Sequence, residues 1–219
     1  MRTIITLDGP GGVGKGTVAK LLAEKYNLQH LDSGAVYRLC ALHLQDCLLF
    51  DASELEQVAE VFKMKFEFKN GKFFSAGVEI PEERLRSEFT AQAASQIAVK
   101  PKIRAALLQW QRNYGGEENL VADGRDMGTV VFPDAQLKFF LDADAKIRAK
   151  RRFEQLKKQG ENVSLAALER EISERDKRDR NRETAPLKPA ADAVVIDTTE
   201  LSVKAVLDKV VERCQVFFN

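Results

Sequence analysis

Short apolar stretches alternate with amphipathic segments along most of the chain. The apolar stretches predict strands at residues 3–8, 28–31, 120–123, 137–141 and 193–197. The segments between them place apolar residues at helical spacing and predict helices near residues 15–26, 34–48, 101–114, 143–159, 164–182 and 201–217. Strands that alternate with helices are typical of α/β folds, so the pattern predicts a five-stranded parallel sheet covered by helices on both faces.

Residues 57–96 interrupt this alternation. Four apolar residues there are separated by single charged residues: Phe62, Met64, Phe66 and Phe68. Asn70-Gly71 follows as a typical hairpin turn, with further short strands at 72–76 and 77–80 and helical segments from Pro81. We therefore expect an inserted subdomain with a small antiparallel sheet, whose aromatic residues form a core of its own rather than a surface for a ligand.

The first predicted strand runs directly into a glycine-rich loop with the spacing G-x-x-x-x-G-K, and a predicted helix follows. This strand–loop–helix context is that of a phosphate-binding P-loop. Glycines let the backbone wrap closely around a triphosphate, while the helix N-terminus and the lysine supply positive potential. The residues predicted to bind the triphosphate are Gly9, Pro10, Gly11, Gly12, Val13, Gly14, Lys15, Gly16 and Thr17.

The residue directly after the lysine narrows the class of P-loop protein. Regulatory GTP-binding switches carry a hydroxyl there that ligates Mg²⁺, whereas this chain has Gly16, an ending more typical of small-molecule and nucleoside monophosphate kinases. Thr17 is the nearest hydroxyl. Asp123, at the end of a predicted strand, lies where P-loop enzymes keep an acid close to the metal. We expect Thr17 and Asp123 to hold Mg²⁺ largely through water.

Composition limits the functional class without identifying it. The 219 residues carry a formal net charge of +1, which argues against a general polyanion-binding surface. No apolar run approaches the roughly 20 residues of a membrane helix, and the three cysteines, which form no C-x-x-C motif, fit a reducing compartment. With no signal pattern and no coiled-coil repeat, we expect a cytoplasmic monomer that binds neither nucleic acid nor membrane.

Residues 146–182 form a basic segment that holds 13 of the 34 lysines and arginines. Most of it is expected to be a solvated, salt-bridged helix pair. One stripe, however, begins apolar and ends charged at helical steps: Leu165, Leu168, Ile172, Arg175, Asp179 and Arg182. Charges that extend a buried face need partners, so the stripe predicts either a phosphorylated ligand, which we favour, or a structural ion-pair cluster.

Two loops that follow predicted strands carry further candidate chemistry, since ligands of parallel sheets bind beyond the carboxyl ends of the strands. The first runs from Asp32 to Arg38, and Ser33 in it is either a helix N-cap or a ligand contact. The second places Arg125 and Asp126 between two glycines. A charged pair in such a turn is better explained by a ligand than by a plain loop.

Four motifs together resemble the bacterial cytidylate kinase family. They are G-x-x-x-x-G-K-G-T from Gly9, L-D-S-G-A-V-Y-R from Leu31, A-D-G-R-D-M-G-T-V-V-F-P from Ala122 and R-D-x-R-D-x-x-R from Arg175. The resemblance runs from Thr3 to about residue 198 without a departure at any motif position. It implies transfer of a phosphoryl group from ATP to CMP or dCMP with Mg²⁺. It also implies a P-loop kinase core at 1–56 and 97–219, a monophosphate-binding insertion at 57–96 and a helical lid within about 150–182.

The resemblance also implies roles for individual residues. Those expected to meet cytosine are Ser95, Arg104 and Asp126, and those expected to meet the sugar are Arg175 and Asp179. The monophosphate would be held by Arg38, Arg125 and Arg182, in a pocket also lined by Ser33, Tyr37 and Gly124. The expected catalytic set is Lys15, Asp123, Arg125 and Arg182. From their position in the lid alone, Arg152 and Arg178 are expected to reach ATP.

Phosphoryl transfer between two anionic groups depends on positioning and charge neutralisation. The acceptor phosphate is itself an anion near neutral pH, so no general base is required and neither His30 nor His43 is assigned a role. Two alternatives stay open: a P-loop kinase for another small acceptor, such as shikimate or dephospho-coenzyme A, and a nucleotide-binding regulatory switch.

Overall fold

The structure, a computed structural model, describes residues 2–69, 72–158, 160 and 162–218. In chain order the helices and strands are β1 (Ile4–Asp8), α1 (Lys15–Tyr26), β2 (Gln29–Asp32), α2 (Ser33–Asp46), α3 (Glu54–Val61), β3 (Phe66–Lys69), β4 (Lys72–Ser75), β5 (Val78–Ile80), α4 (Glu82–Arg86), α5 (Glu88–Ile97), α6 (Pro101–Asn113), β6 (Leu120–Gly124), β7 (Leu137–Asp142), α7 (Ala145–Lys158), α8 (Leu165–Asn181), β8 (Val194–Asp197) and α9 (Val203–Cys214). The chain divides into two compact units, residues 1–31 with 115–219 and residues 32–114.

The first unit is built on the predicted five-stranded parallel sheet, in the order β2-β6-β1-β7-β8. In β1, Asp8 pairs in register with Gly124 of β6 and Phe140 of β7, so the carboxyl ends of three neighbouring strands meet at one edge. Strands buried on both faces need continuous apolar runs, and Ile5 and Leu7 of β1 are fully buried. The edge where the strands end is therefore the place for the loops that carry chemistry.

Helices α1 and α9 cover this sheet, and the cluster they form with it includes Val18, Leu22, Val206 and Val210. Helices α7 and α8 pack on each other through a separate cluster formed by Ala149, Phe153, Leu156, Val163, Leu168 and Ile172. The apolar part of the predicted α8 stripe is therefore confirmed from Leu168 onward. Leu165, the first residue of α8, lies outside the cluster and is 37% exposed.

The second unit contains the predicted small antiparallel sheet, in the order β3-β4-β5. Its core joins α2 residues to Leu85 and to strand residues such as Phe66 and Phe73. The strand begins later than the alternation predicts, because α3 continues to Val61 and a turn follows; Phe62 is consequently 73% exposed. The predicted turn at Asn70-Gly71 lies outside the described residues.

Helix α3 was not predicted from the sequence. It begins at a capping box in which Ser53 and Glu56 bond to each other's backbone amides. This box is readable from the sequence as S-x-x-E. In the described part of the chain, no helix has the length and apolar character needed to cross a membrane.

Candidate active site

The glycine-rich loop connects β1 to α1 as predicted, and α1 begins at Lys15. Gly12 and Gly14 adopt positive φ angles of 83° and 89°, which side chains disfavour. The Lys15 side chain is buried and its Nζ donates a hydrogen bond to the Pro10 carbonyl at 2.7 Å. The loop thus presents a helix N-terminus and a buried ammonium group on the same short segment, an arrangement suited to phosphate oxygens.

Burial and the neighbouring Arg125 guanidinium lower the pKa of Lys15 to about 7, against the opposing carboxylates of Asp123 and Asp8. An unliganded lysine in this position is easily deprotonated, since two arginines already supply positive charge nearby. A polyphosphate would favour the charged form again, because an opposite charge within a few ångströms raises the pKa of an amine. The site is therefore electrostatically incomplete without an anion.

Asp8, at the end of β1, fixes the loop that follows β6. Its carboxylate accepts the backbone N–H groups of Met127 at 2.8 Å and Gly128 at 2.7 Å. Those amides begin a single π-helical turn, Met127–Val131, where the sequence predicted only a turn. Burial raises the pKa of Asp8 to about 6, although both hydrogen bonds oppose the rise. Sequence reasoning missed Asp8 because it treated the residue as part of a core strand.

The charged residues of the predicted β6 loop and of α8 come together. Arg125 Nε bonds to Asp179 Oδ2 at 2.9 Å, and both side chains are largely buried. Burial alone would raise the pKa of Asp179, but the adjacent guanidinium groups of Arg125, Arg175 and Arg182 outweigh it and hold that pKa below its usual value. The stripe on α8 therefore does end in a buried charged cluster. Three arginines around one carboxylate leave an excess of positive charge.

This cluster also reaches the glycine-rich loop. A β-carbon on Gly11 would lie 3.5 Å from Arg125 Nη2 and 3.9 Å from Arg175 Nη1. Arg182, which is 9% exposed, donates from Nη2 to the Ala185 carbonyl at 2.7 Å. The first unit thus brings two guanidinium groups to the loop that is predicted to hold a triphosphate.

Asp123 is buried and lies close to the same loop. Its Oδ2 is 3.9 Å from where a β-carbon on Gly16 would be, and its Oδ1 is 2.7 Å from His30 Nε2. The imidazole that was assigned no role therefore contacts a predicted metal-site residue, a contact that the apolar neighbours of His30 in sequence do not reveal. Thr17 is exposed on the first turn of α1.

A cleft of about 460 Å³ adjoins the loop and is lined by Gly12, Val13, Gly14, Val18, Arg151, Arg152, Gln155, Thr198, Leu201, Ser202, Val203 and Val206. Arg151 closes one side by donating to the carbonyl oxygens of Thr198 at 2.7 Å and Thr199 at 3.1 Å. Arg152 lines the cleft and bonds to Gln155 Oε1 at 3.1 Å, whereas Arg178 is exposed on α8. Of the two predicted lid arginines, Arg152 is the one beside this cleft.

Arg148 of α7 and Asp176 of α8 connect these two helices to the glycine-rich loop, and neither was predicted as a site residue. The Arg148 guanidinium is buried, forms an ion pair with Asp176 and donates from Nη1 to the Gly11 carbonyl at 3.1 Å. Asp176 was visible in the R-D-x-R-D-x-x-R motif, but Arg148 lies in a basic run that is typical of a solvated helix. The structure gives Arg148 a structural role, since its guanidinium joins Asp176 of α8 to the Gly11 carbonyl of the loop.

The second unit holds five of the predicted residues, which are Ser33, Tyr37, Arg38, Ser95 and Arg104. Asp32, not Ser33, caps α2 by accepting from the Ala35 amide, and Ser33 donates to Gln111 Oε1 at 2.7 Å. Tyr37 and Arg104 form a cation–π contact, with the guanidinium carbon 5.7 Å from the ring centre.

The other two predicted residues of this unit differ in their contacts. Arg38 Nη1 donates to the carbonyl oxygens of Leu85 at 3.1 Å and Ser87 at 3.3 Å. The Ser95 side chain is 6% exposed, and its Oγ has no hydrogen-bond partner among the described residues. A buried hydroxyl without a partner is costly, which favours a ligand as its missing partner.

The sequence is similar to a known family and to named proteins of that family. The family model for cytidylate kinase matches residues 5–216. Relatives include cytidylate kinase from Dichelobacter nodosus, 58% identical over the whole of both chains, and cytidylate kinase 1 from Haemophilus influenzae, 48% identical with 97% of this chain and 93% of that protein covered. The crystal structure of an uncharacterized protein from Eubacterium ventriosum covers 99% of both chains at a TM-score of 0.53 and 18% identity, which supports the fold alone. The chain belongs to the cytidylate kinase family.

Proposed function

We propose that this protein phosphorylates CMP and dCMP with ATP, giving CDP and dCDP by direct in-line transfer. The observation that carries the proposal is the approach of Arg125 and Arg175 to Gly11 of the glycine-rich loop. A loop for one polyphosphate with guanidinium groups at its edge suits a reaction between two phosphate groups, whose main barrier is charge. Family membership supports the same reaction.

On the donor side, the backbone of residues 9–17 and the buried Lys15 would bind the β- and γ-phosphates of ATP. The adjoining cleft has room for the adenosine part, since its apolar lining of Val18, Leu201 and Val206 suits a base and its arginines suit phosphate. Arg152 and Arg178 are proposed to contact ATP from the lid, where they would add positive charge as the lid excludes water.

Mg²⁺ fits the acidic side of this loop. The buried carboxylate of Asp123 lies beside Gly16 and the Thr17 hydroxyl is exposed on the next residue, and oxygen ligands are those that Mg²⁺ prefers. Thr17 and Asp123 would hold the ion largely through water. When bound, Mg²⁺ supplies charge neutralisation at the β- and γ-phosphates. The 2.7 Å contact from His30 would orient the Asp123 carboxylate.

On the acceptor side, Arg38, Arg125 and Arg182 are proposed to bind the CMP phosphate, with Ser33, Tyr37 and Gly124 lining its pocket. Arg175 and Asp179 are proposed to bind the sugar hydroxyls. The depressed pKa of Asp179 keeps it ionised and able to accept hydrogen bonds at neutral pH. No general base is needed, because the attacking oxygen belongs to an anionic phosphate.

Selection of cytosine is proposed to rest on Ser95, Arg104 and Asp126. Cytosine offers acceptors at O2 and N3 and a donor at N4, so an arginine can donate to the first two while an aspartate accepts from the third. Uracil reverses the polarity at N3 and position 4 and would leave Asp126 facing a carbonyl oxygen. Mismatched polar groups in a closed pocket discriminate strongly, so UMP is expected to be a poor acceptor.

The decisive experiment is a coupled ADP-release assay with Mg-ATP and separate acceptors: CMP, dCMP, UMP, AMP, GMP, shikimate and none. We expect fast turnover with CMP and dCMP only. Fast turnover of another acceptor would retain the P-loop assignment and refute the cytosine pocket, and slow ADP release without any acceptor would support a regulatory switch. Asp126→Asn is the matched variant, expected to lose more activity toward CMP than toward UMP. We also propose that the chain acts as a monomer, which light scattering tests.

A further inference from the structure

The C-terminal ends of α2 and α3, both in the second unit, hold three potential metal ligands that the kinase reaction does not use. His43 and Cys47 are four residues apart, at the last turn and the C-cap of α2, and Glu60 faces them from α3. One ligand atom from each lies within 4.8 Å of the others. We propose that His43, Cys47 and Glu60 form a binding site for Zn²⁺.

The distances between the ligand atoms match a metal centre. His43 Nε2 is 3.1 Å from Glu60 Oε1, and Cys47 Sγ is 3.8 Å from His43 Nε2 and 3.9 Å from Glu60 Oε1. A tetrahedral zinc ion with bonds of about 2.0–2.3 Å separates such ligand atoms by about 3.3–3.6 Å. The observed triangle therefore needs only side-chain shifts of a few tenths of an ångström to close on a cation, with the fourth position left for water.

The ligand types select among metals. Thiolate and imidazole favour Zn²⁺ over the harder Mg²⁺, which prefers oxygen ligands. A thiolate and a carboxylate together balance the charge of a divalent cation, and the neutral imidazole adds none. The Mg²⁺ that accompanies ATP is therefore not expected to occupy this site.

The surrounding residues hold Glu60 in place and leave one of its oxygens for a metal. Lys63 Nζ binds Glu60 Oε2 at 2.9 Å, the oxygen that does not face His43. On α3, the fully buried Gln57 donates to the Leu49 carbonyl at 3.0 Å and accepts from Lys100 at 2.7 Å. These bonds tie α3 to the turn that follows Cys47, so the two helices present their ligands from fixed positions.

The thiolate form of a cysteine, not the thiol, binds a metal ion. Capture of Zn²⁺ by Cys47 is therefore expected to release a proton to the buffer.

The test uses the full-length protein without an affinity tag, stripped with a chelator and titrated with Zn²⁺ in excess Mg²⁺ against a chromophoric competitor. We expect the wild type to bind one Zn²⁺ per chain. The variants Cys47→Ser, His43→Gln and Glu60→Gln are each expected to lose this binding. Glu56→Gln is the matched control, a carboxylate on the same helix whose capping role glutamine can fill, and it is expected to bind Zn²⁺ as the wild type does.

Titration with Co²⁺ gives a direct readout of the sulfur bond. The wild type and Glu56→Gln are expected to show a thiolate-to-cobalt charge-transfer band, and Cys47→Ser to lose it. Circular dichroism and CMP phosphorylation with Mg-ATP report whether each variant is folded. Failure of the wild type to bind Zn²⁺ overturns the proposal, and so does binding that persists in the folded Cys47→Ser and His43→Gln variants.

Discussion

At the scale of single residues, the site depends on two buried groups whose charges are poorly solvated. Lys15 has a lowered pKa and Asp8 a raised one, and in both cases burial is the largest cause. Strongly shifted groups are typical of functional sites. Each shift has a measurable consequence.

Replacing Lys15 with methionine is expected to lower kcat by about 100-fold or more while the fold is retained, because the variant loses a charge that stabilises the transferring phosphoryl group. Steady-state kinetics and circular dichroism measure both effects. Lys20→Met, on the exposed face of the same helix, is the control and should leave kcat unchanged. A comparably mild effect in both variants would contradict a catalytic role for the loop.

Binding of a non-hydrolysable ATP analogue at pH 8 is expected to take up a proton. The free Lys15, with a pKa of about 7, is then mostly neutral, and the triphosphate restores the ammonium form. Affinity should accordingly fall as the pH rises above about 7. Calorimetry in two buffers of different ionisation enthalpy measures the uptake. Lys15→Arg, which stays charged at this pH, should bind without it.

The raised pKa of Asp8 predicts a pH-dependent contribution to stability. The folded state keeps the proton up to about pH 6 and the unfolded state only to about 3.8, so Asp8 stabilises the fold less as the pH rises through this window. The unfolding free energy of the wild type relative to Asp8→Asn should therefore fall by on the order of 3 kcal/mol. Urea unfolding at several pH values tests this. Asp134→Asn, at an exposed position, should show no such change.

At the scale of elements, the junction between β1 and the glycine-rich loop is packed against β7. A β-carbon on Gly9, whose φ is 143°, would lie 1.9 Å from the Leu141 carbonyl oxygen, whereas one on Gly14 would meet nothing within 4 Å. Both glycines have positive φ, but only Gly9 is enclosed by neighbouring backbone atoms.

We therefore expect Gly9→Ala to destabilise the protein by about 3 kcal/mol or more, since a backbone strand must move to accept the methyl group. Gly14→Ala should cost about 1 kcal/mol, from its backbone conformation alone. Thermal and urea unfolding measure both. Equal losses would show that the close packing of β1 on β7 does not control this position.

Most elements could be predicted because their signals are local. The period of apolar residues identified all five strands of the parallel sheet and the helices around it, and α1 begins and ends where predicted. Helix α3 was missed although its capping box is local, and the alternating residues from Phe62 place the first strand too early, since β3 begins only at Phe66. The π-helical turn at Met127–Val131 was missed because it depends on Asp8, 119 residues away from Met127 in sequence.

The candidate site, like the fold, could be predicted only in part from the sequence. The motif residues Arg125, Asp179 and Arg182 could be identified as candidate binding residues, because charged side chains in a loop after a strand and on an otherwise apolar helix face are unusual, and the structure brings them together in one buried cluster. Arg148 and His30 could not, since each acquires its role from a partner distant in sequence. Local pattern therefore identifies candidate binding groups better than groups that position them.

At the scale of the whole molecule, Mg²⁺ is expected to bind with ATP rather than to a cage of its own, because only Thr17 and Asp123 are proposed as nearby oxygen ligands. Mg²⁺ alone should leave the Tm unchanged, whereas Mg²⁺ with a non-hydrolysable ATP analogue should raise it by several degrees. Differential scanning fluorimetry distinguishes the two. Removal of Mg²⁺ with EDTA should abolish turnover, and added Mg²⁺ should restore it. A stabilising effect of Mg²⁺ without nucleotide would indicate a preformed metal site.

The sheet order has a consequence for how such a chain can vary. Residues 32–114 leave the first unit after β2 and return before β6, and these two strands are neighbours, joined at their starts by the bond from the Gln29 amide to the Asn119 carbonyl at 2.8 Å. The segment departs at the carboxyl end of β2 and returns at the amino end of β6, so it is a cassette inserted between two neighbouring strands. Its length and contents can change through evolution while the strand order and the glycine-rich loop stay intact, so new acceptor chemistry can arise without rebuilding the donor site.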